Sequence, residues 1–170
     1  MTPEFERIRG YLQAQGAKLS PEAIIGKVEA AMGELRQAAA LVPAARWAER
    51  PEPEEWSGNE VLAHVVDAGR HFGDQIIALL ADRPRPAARG SSMSERRTLE
   101  EWWAILGRDR AELFDAVRKT EPASRLDAKI EHPMFGPLTW RETLLFTRLH
   151  DLDHTGQLQK IAAALAARPA

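Results

Sequence analysis

Cysteine is absent from this chain of 170 residues. That excludes disulfides, cysteine-ligated zinc, iron–sulfur clusters and a cysteine nucleophile. Any metal must therefore be held by histidine and carboxylate side chains. A basic excess is absent too. The 23 Lys+Arg face 25 Asp+Glu, a net charge of −2, so nothing drives sequence-independent binding to DNA or RNA. No run of 18 uncharged apolar residues occurs, which excludes a membrane-spanning helix. The first residues, Met1 to Arg7, lack the basic-then-apolar order of a signal peptide, so the expected location is the cytoplasm. β-branched residues are scarce as well. Val, Ile and Thr total 21 against 28 Ala and 18 Leu, a balance that favours helix over sheet.

What remains is an ordinary apolar fraction, 44%, in a chain of suitable length for one folded domain spanning 1–170. Thr2-Pro3 starts a short helix expected to run through Leu12, with the stretch around Gly16 breaking it. Ser20-Pro21-Glu22 opens the first long helix. Its apolar positions Ile24, Val28, Ala31, Met32, Leu35, Ala39 and Val42 keep helical spacing until Pro43 stops it. Ser57-Gly58-Asn59-Glu60 is a capping box, with Trp56 and Val61 placed for a hydrophobic staple, and it opens a second long helix to about Ala81. Thr98 and Glu101 cap a third, to about Thr120, with a stripe of Leu99, Trp103, Leu106, Leu113 and Val117. Thr139 and Glu142 cap a fourth, to about Ala166 before Pro169.

The connections are polar and proline-rich. Residues 82–97 carry five Arg, two Pro and three Ser. This loop reads as solvated, with contact to an anionic ligand as the alternative. The run His132-Pro133-Met134-Phe135-Gly136-Pro137 reads as an extended turn. Four long amphipathic helices with such connections predict an all-α four-helix bundle with a short N-terminal helix.

The five histidines are not scattered evenly. His150 and His154 are four residues apart and project from one helical face, which Leu158, Ile161 and Leu165 continue inward. His64 lies beside Val61, Val65 and Ala68 and also points inward. Two readings are open on spacing alone. Each ring could be a core histidine satisfied by a neighbour. Alternatively one divalent cation satisfies three ring nitrogens at once, which removes the cost of burying three polar rings together. Three imidazoles would suit Zn, Ni, Cu or Fe. Asp67 and Asp153, each one turn after a histidine, are placed to orient a ligand ring, or are simply solvated. His71 and His132 are secondary candidates for the same pocket. The tryptophans read as packing. Other metal motifs fit less well: Asp151 stands where a zincin helix has its glutamate, and no Glu-x-x-His pair of the di-iron kind occurs.

Three segments in order, Trp56-Ser57-x-x-Glu60-Val61-Leu62-x-His64, His132-Pro133-x-Phe135-Gly136-x-Leu138-Thr139 and His150-Asp151-x-x-His154-x-x-Gln157, resemble the DinB-like (YfiT-like) superfamily from about residue 20 to 165. The resemblance implies a four-helix bundle and a divalent metal, nickel or zinc, held by His64, His150 and His154. It also implies an enzyme acting on a small molecule. The reaction would be S-transfer from a low-molecular-weight thiol of the bacillithiol or mycothiol type, or hydrolysis. The alternative is a non-catalytic metal-binding stress or damage-response protein. A homodimer is a further expectation, with the Leu- and Ala-rich fourth helix as an interface.

Overall fold

The computed structural model describes residues 2–167. Five helices run in the order α1 (Pro3–Lys18), α2 (Pro21–Ala40), α3 (Gly58–Leu80), α4 (Leu99–Arg118) and α5 (Trp140–Ala166). Two short strands, β1 (Ile130–His132) and β2 (Gly136–Leu138), precede α5, and a 3-10 turn spans Ala44–Arg46. Each helix starts where the sequence supplies a cap. Thr2 and Ser20 accept from Phe5 and Ala23 amides. Ser57, Thr98 and Thr139 each form a full capping box with the glutamate three residues on. Such caps satisfy amides that the first helical turn leaves without partners.

Helices α2 to α5 form the bundle, with α3 between α4 and α5, and α2 lying along α5. Helix α1 packs against α5 outside the four. It runs to Lys18, not Leu12, because Gly16 is a close-approach site and not a break. A Cβ there would stand 2.9 Å from Glu142 Cγ at the start of α5. In α4 the expected stripe holds at Leu106, Leu113 and Val117, but Trp102 takes the inward place expected of Trp103. Trp102 is buried and its indole N–H donates to Asn59 Oδ1, while Trp103 is half-buried under the Arg36 guanidinium. Pro169, expected to end the last helix, lies outside the described residues.

The chain is not purely α. Ile130, Glu131 and His132 pair antiparallel with Leu138, Pro137 and Gly136, so the expected extended turn is the tip of a small hairpin. Three-residue strands, the first followed by Pro133 and the second containing Pro137, carry too little alternation to be read as strands. Gly136 closes the tip at φ +69°, in the left-handed region that glycine occupies without strain.

The core falls into two apolar clusters along the bundle. One gathers Ile24, Ile25, Phe72, Leu113, Phe135, Trp140 and Phe146. The other gathers Leu35, Val61, Val65, Trp102, Leu158 and Ile161. Phe146 belongs to the first and Leu158 to the second, so the stretch of α5 between them, His150 to His154, lies at the seam.

Candidate metal centre

The three predicted histidines meet at that seam. His64 Nε2 lies 3.1 Å from His150 Nε2, and His154 Nε2 lies 3.2 Å from the same atom. All three rings offer a nitrogen to one point, within 4.8 Å of one another. The helical pitch explains the α5 pair: four residues bring His154 one turn above His150. The packing of α3 on α5 brings His64 across.

The hydrogen-bond arithmetic at this point does not close. His154 Nδ1 lies 2.8 Å from Gln157 Oε1, which only accepts, so His154 carries its proton on Nδ1 and its Nε2 has only a lone pair. Both remaining contacts end on His150 Nε2. If that nitrogen carries a proton, one N–H must serve two acceptors. If it does not, it meets the His154 lone pair directly. A cation removes the conflict, because three lone pairs are then what the site needs. The spacing also fits, since nitrogens about 2.0–2.1 Å from a tetrahedral zinc stand roughly 3.3 Å apart.

Electrostatics favour the ligating form of each ring. Burial holds all three below the ordinary histidine range, and His150, with His154, His64 and Arg110 nearby, is pushed down to about 2. Neutral imidazole is the species that binds a cation.

The surroundings contain several groups that sequence reasoning assigned differently or missed. Trp56, expected as a staple with Val61, packs against the apolar cluster that contains Val61 and also stands over the site. Its ring lies 5.0 Å from that of His64 and is stacked 6.4 Å from that of His154. The loop carrying it is anchored by Glu60, whose carboxylate accepts from the Ser57 amide and from Arg50. Arg50 foremost, with the Ser57 bonds, lowers Glu60 to about 2. Gln157 was visible only as a motif position; its i, i+3 relation to His154 was the available signal. Beside the triad, Asp151 is wholly buried and accepts from Arg110 Nη2 at 3.0 and 3.3 Å. Burial pushes Asp151 up to about 6 against the pull of Arg110. Nothing in the helical pattern singled out Arg110, since an arginine on a buried stripe reads as an interruption.

The secondary candidates do not join the three. Asp67 accepts from the Ser92 amide (2.7 Å) and the Ser91 hydroxyl (3.2 Å), so it tethers the 82–97 loop and does not hydrogen-bond His64. Asp153 is exposed. His71 is exposed and bonded to Gln75. His132 is buried within a layer of phenylalanines, near the triad but separate from it.

A cavity of about 460 Å³ has in its wall Trp56 and Gln157, two of the residues that touch the histidines, but none of the three histidines themselves. A second cleft, of about 620 Å³, lies by Trp47 and Thr98 and includes none of the three. Among the described residues no helix is long and apolar enough to cross a membrane.

Comparison with known proteins follows the same lines. A family model described as the DinB superfamily matches residues 27–158. Among solved structures the chain is similar to TT2238, a four-helix bundle protein. The two are 23% identical with a TM-score of 0.64, over 83% of this chain and 99% of that one. At that identity the likeness speaks for the fold. No curated protein matches.

Proposed function

The chain belongs to the DinB superfamily, and from that premise we propose that it is a metal-dependent enzyme holding one divalent ion, nickel or zinc, on His64, His150 and His154. Its substrate is a small molecule. The reaction is S-transfer with a low-molecular-weight thiol of the bacillithiol or mycothiol type, or hydrolysis. One observation carries the metal: three Nε2 atoms converge with too few protons to satisfy one another. A bound divalent ion supplies Lewis acidity, which makes a thiol or a water a better nucleophile at neutral pH.

The rest belongs to the chain. Gln157 keeps the His154 proton on Nδ1 and so keeps Nε2 available. The half-buried Trp56 ring covers His64 and His154 and excludes water on that side. A cavity bounded by Trp56, Gln157, Lys160 and Glu54 gives a substrate room next to the residues that cover and orient the rings.

The test uses protein purified without an affinity tag. Elemental analysis should find about one equivalent of metal. After cobalt substitution, an added small thiol should produce thiolate charge-transfer bands. The chain contains no cysteine, so such bands can come only from the added thiol. Chelation should abolish thiol-transfer or hydrolytic activity while leaving most helicity. No spectral change with thiol, together with unfolding on chelation, would make the ion structural and remove the enzyme reading.

A further inference from the structure

His132 is 4% exposed, yet only half of its ring chemistry is used. Its Nδ1 accepts from the amides of Met134 (3.2 Å) and Phe135 (3.3 Å). An Nδ1 that accepts leaves the proton on Nε2, and no described residue accepts from it. The ring is held flat between Phe72 and Phe135 and edge-on to Phe146. Burial keeps it neutral down to about 4. It is therefore a fixed, neutral N–H donor with one direction to point.

His132 belongs to the wall of an open cleft of about 860 Å³, between the hairpin tip, α1 and the arginine-rich loop. The same wall holds Arg85, which makes no ion pair or hydrogen bond within the described residues, unlike Arg89 of the same loop, which forks onto Asp74. It also holds apolar surface from Phe5 and from Met134, one of the few large apolar side chains left exposed, at 43%. Glu131 is the sole carboxylate there.

We propose that this cleft is a second ligand site, in which Arg85 and the His132 Nε2–H hold the carboxylate of a small organic anion whose apolar body lies on Phe5 and Met134. A guanidinium with no partner matches a carboxylate fork, and a buried neutral N–H adds a directional bond that bulk water does not offer. The inference does not rest on the metal reading. The Phe146 ring stands between His132 and His150, with centroids 4.3 and 5.7 Å from the two.

The experiment is a titration of the full chain with 3-phenylpropionate, and with its neutral isostere 3-phenylpropionamide, followed by NMR of the histidine ring nitrogens. The carboxylate should shift the His132 Nε2 signal, and the amide should bind about tenfold more weakly. Arg85→Gln lies on an exposed loop, so the fold should survive, and it should weaken carboxylate binding about tenfold. His132→Asn retains an acceptor for the two amides but lacks the ring donor, and it should weaken binding as well. Glu131→Gln should tighten it. His64→Ala should leave it unchanged. Equal binding of acid and amide, an unmoved His132 signal, or binding lost in His64→Ala and retained in Arg85→Gln would each overturn the proposal.

Discussion

Two inward-facing histidine environments lie on either side of Phe146, and they solve the same problem differently. His132 has a polar nitrogen in the core and gives it two backbone amides from its own turn. The satisfaction is local, and no other element is needed. His150 has a more deeply depressed titration and receives no backbone donor. Its Nε2 faces the Nε2 atoms of two other histidines. A ring nitrogen in the core can thus be settled by amides of its own turn, as His132 Nδ1 is, or left to a group from outside, as His150 Nε2 is. The second arrangement costs free energy unless something fills it, and that cost is the mark of a binding centre.

The largest break in this comparison should come from the charge pair beside the triad. Arg110→Met leaves Asp151 buried without its cation and should lower unfolding free energy by about 3–5 kcal/mol, measured by denaturant titration. No equivalent pair supports His132, so His132→Asn, which keeps an acceptor for both amides, should lose far less.

Metal affinity divides the two environments next. His150→Ala should weaken binding of one divalent equivalent by at least about 100-fold, since two imidazoles hold an exchangeable ion poorly. His132→Asn should leave the affinity unchanged. Competition with a chelator of known affinity reads both. Retention of metal by His150→Ala would sink the three-histidine assignment.

Acid should sharpen the contrast from a different direction. In the metal-free protein His64, His132, His150 and His154 all titrate below the ordinary value in the fold. The unfolded chain therefore binds more protons than the fold once the pH drops below about 6.5. The stability from burying neutral rings is complete above that pH and is lost as the pH falls through it toward 4. Asp151, raised to about 6, works in the opposite sense between about 6 and 4 and offsets one of the four. Denaturant midpoints should show a net loss of at least about 2 kcal/mol between pH 7 and 5. Saturating metal should reduce the loss, because bound rings resist protonation. His132→Asn should remove only its own share.

The smallest effect is the most specific. Gln157→Leu frees the His154 Nδ1 proton and unlocks the tautomer. Metal affinity should fall about tenfold with little change in helicity. An unchanged affinity would mean that Gln157 does not orient the ring.

Much of this was legible from residue order. Capping boxes at Ser57, Thr98 and Thr139 mark helix starts because both partners are three residues apart, within one turn. His150 and His154 share a face because the helix repeat requires it. The errors have one kind of cause. Gly16 looked like a break because its reason, the approach of Glu142, lies more than a hundred residues away. The role of Trp56 over the histidines was hidden because His154 meets it only through loop placement, nearly a hundred residues along the chain. The hairpin is not legible in the sequence because its strands are three residues long.

Periodicity and capping are local, set by one turn of helix and by backbone amides that need nearby acceptors. They determined the helix starts, the inward faces and the identity of three candidate ligands. Which side chain crosses the bundle is not local. The Arg110–Asp151 pair, the choice of Gln157 as the His154 acceptor and the convergence of three Nε2 atoms on one point depend on how α3, α4 and α5 are stacked. That stacking follows from packing two apolar clusters without voids, a condition on the whole chain that no window of residues contains.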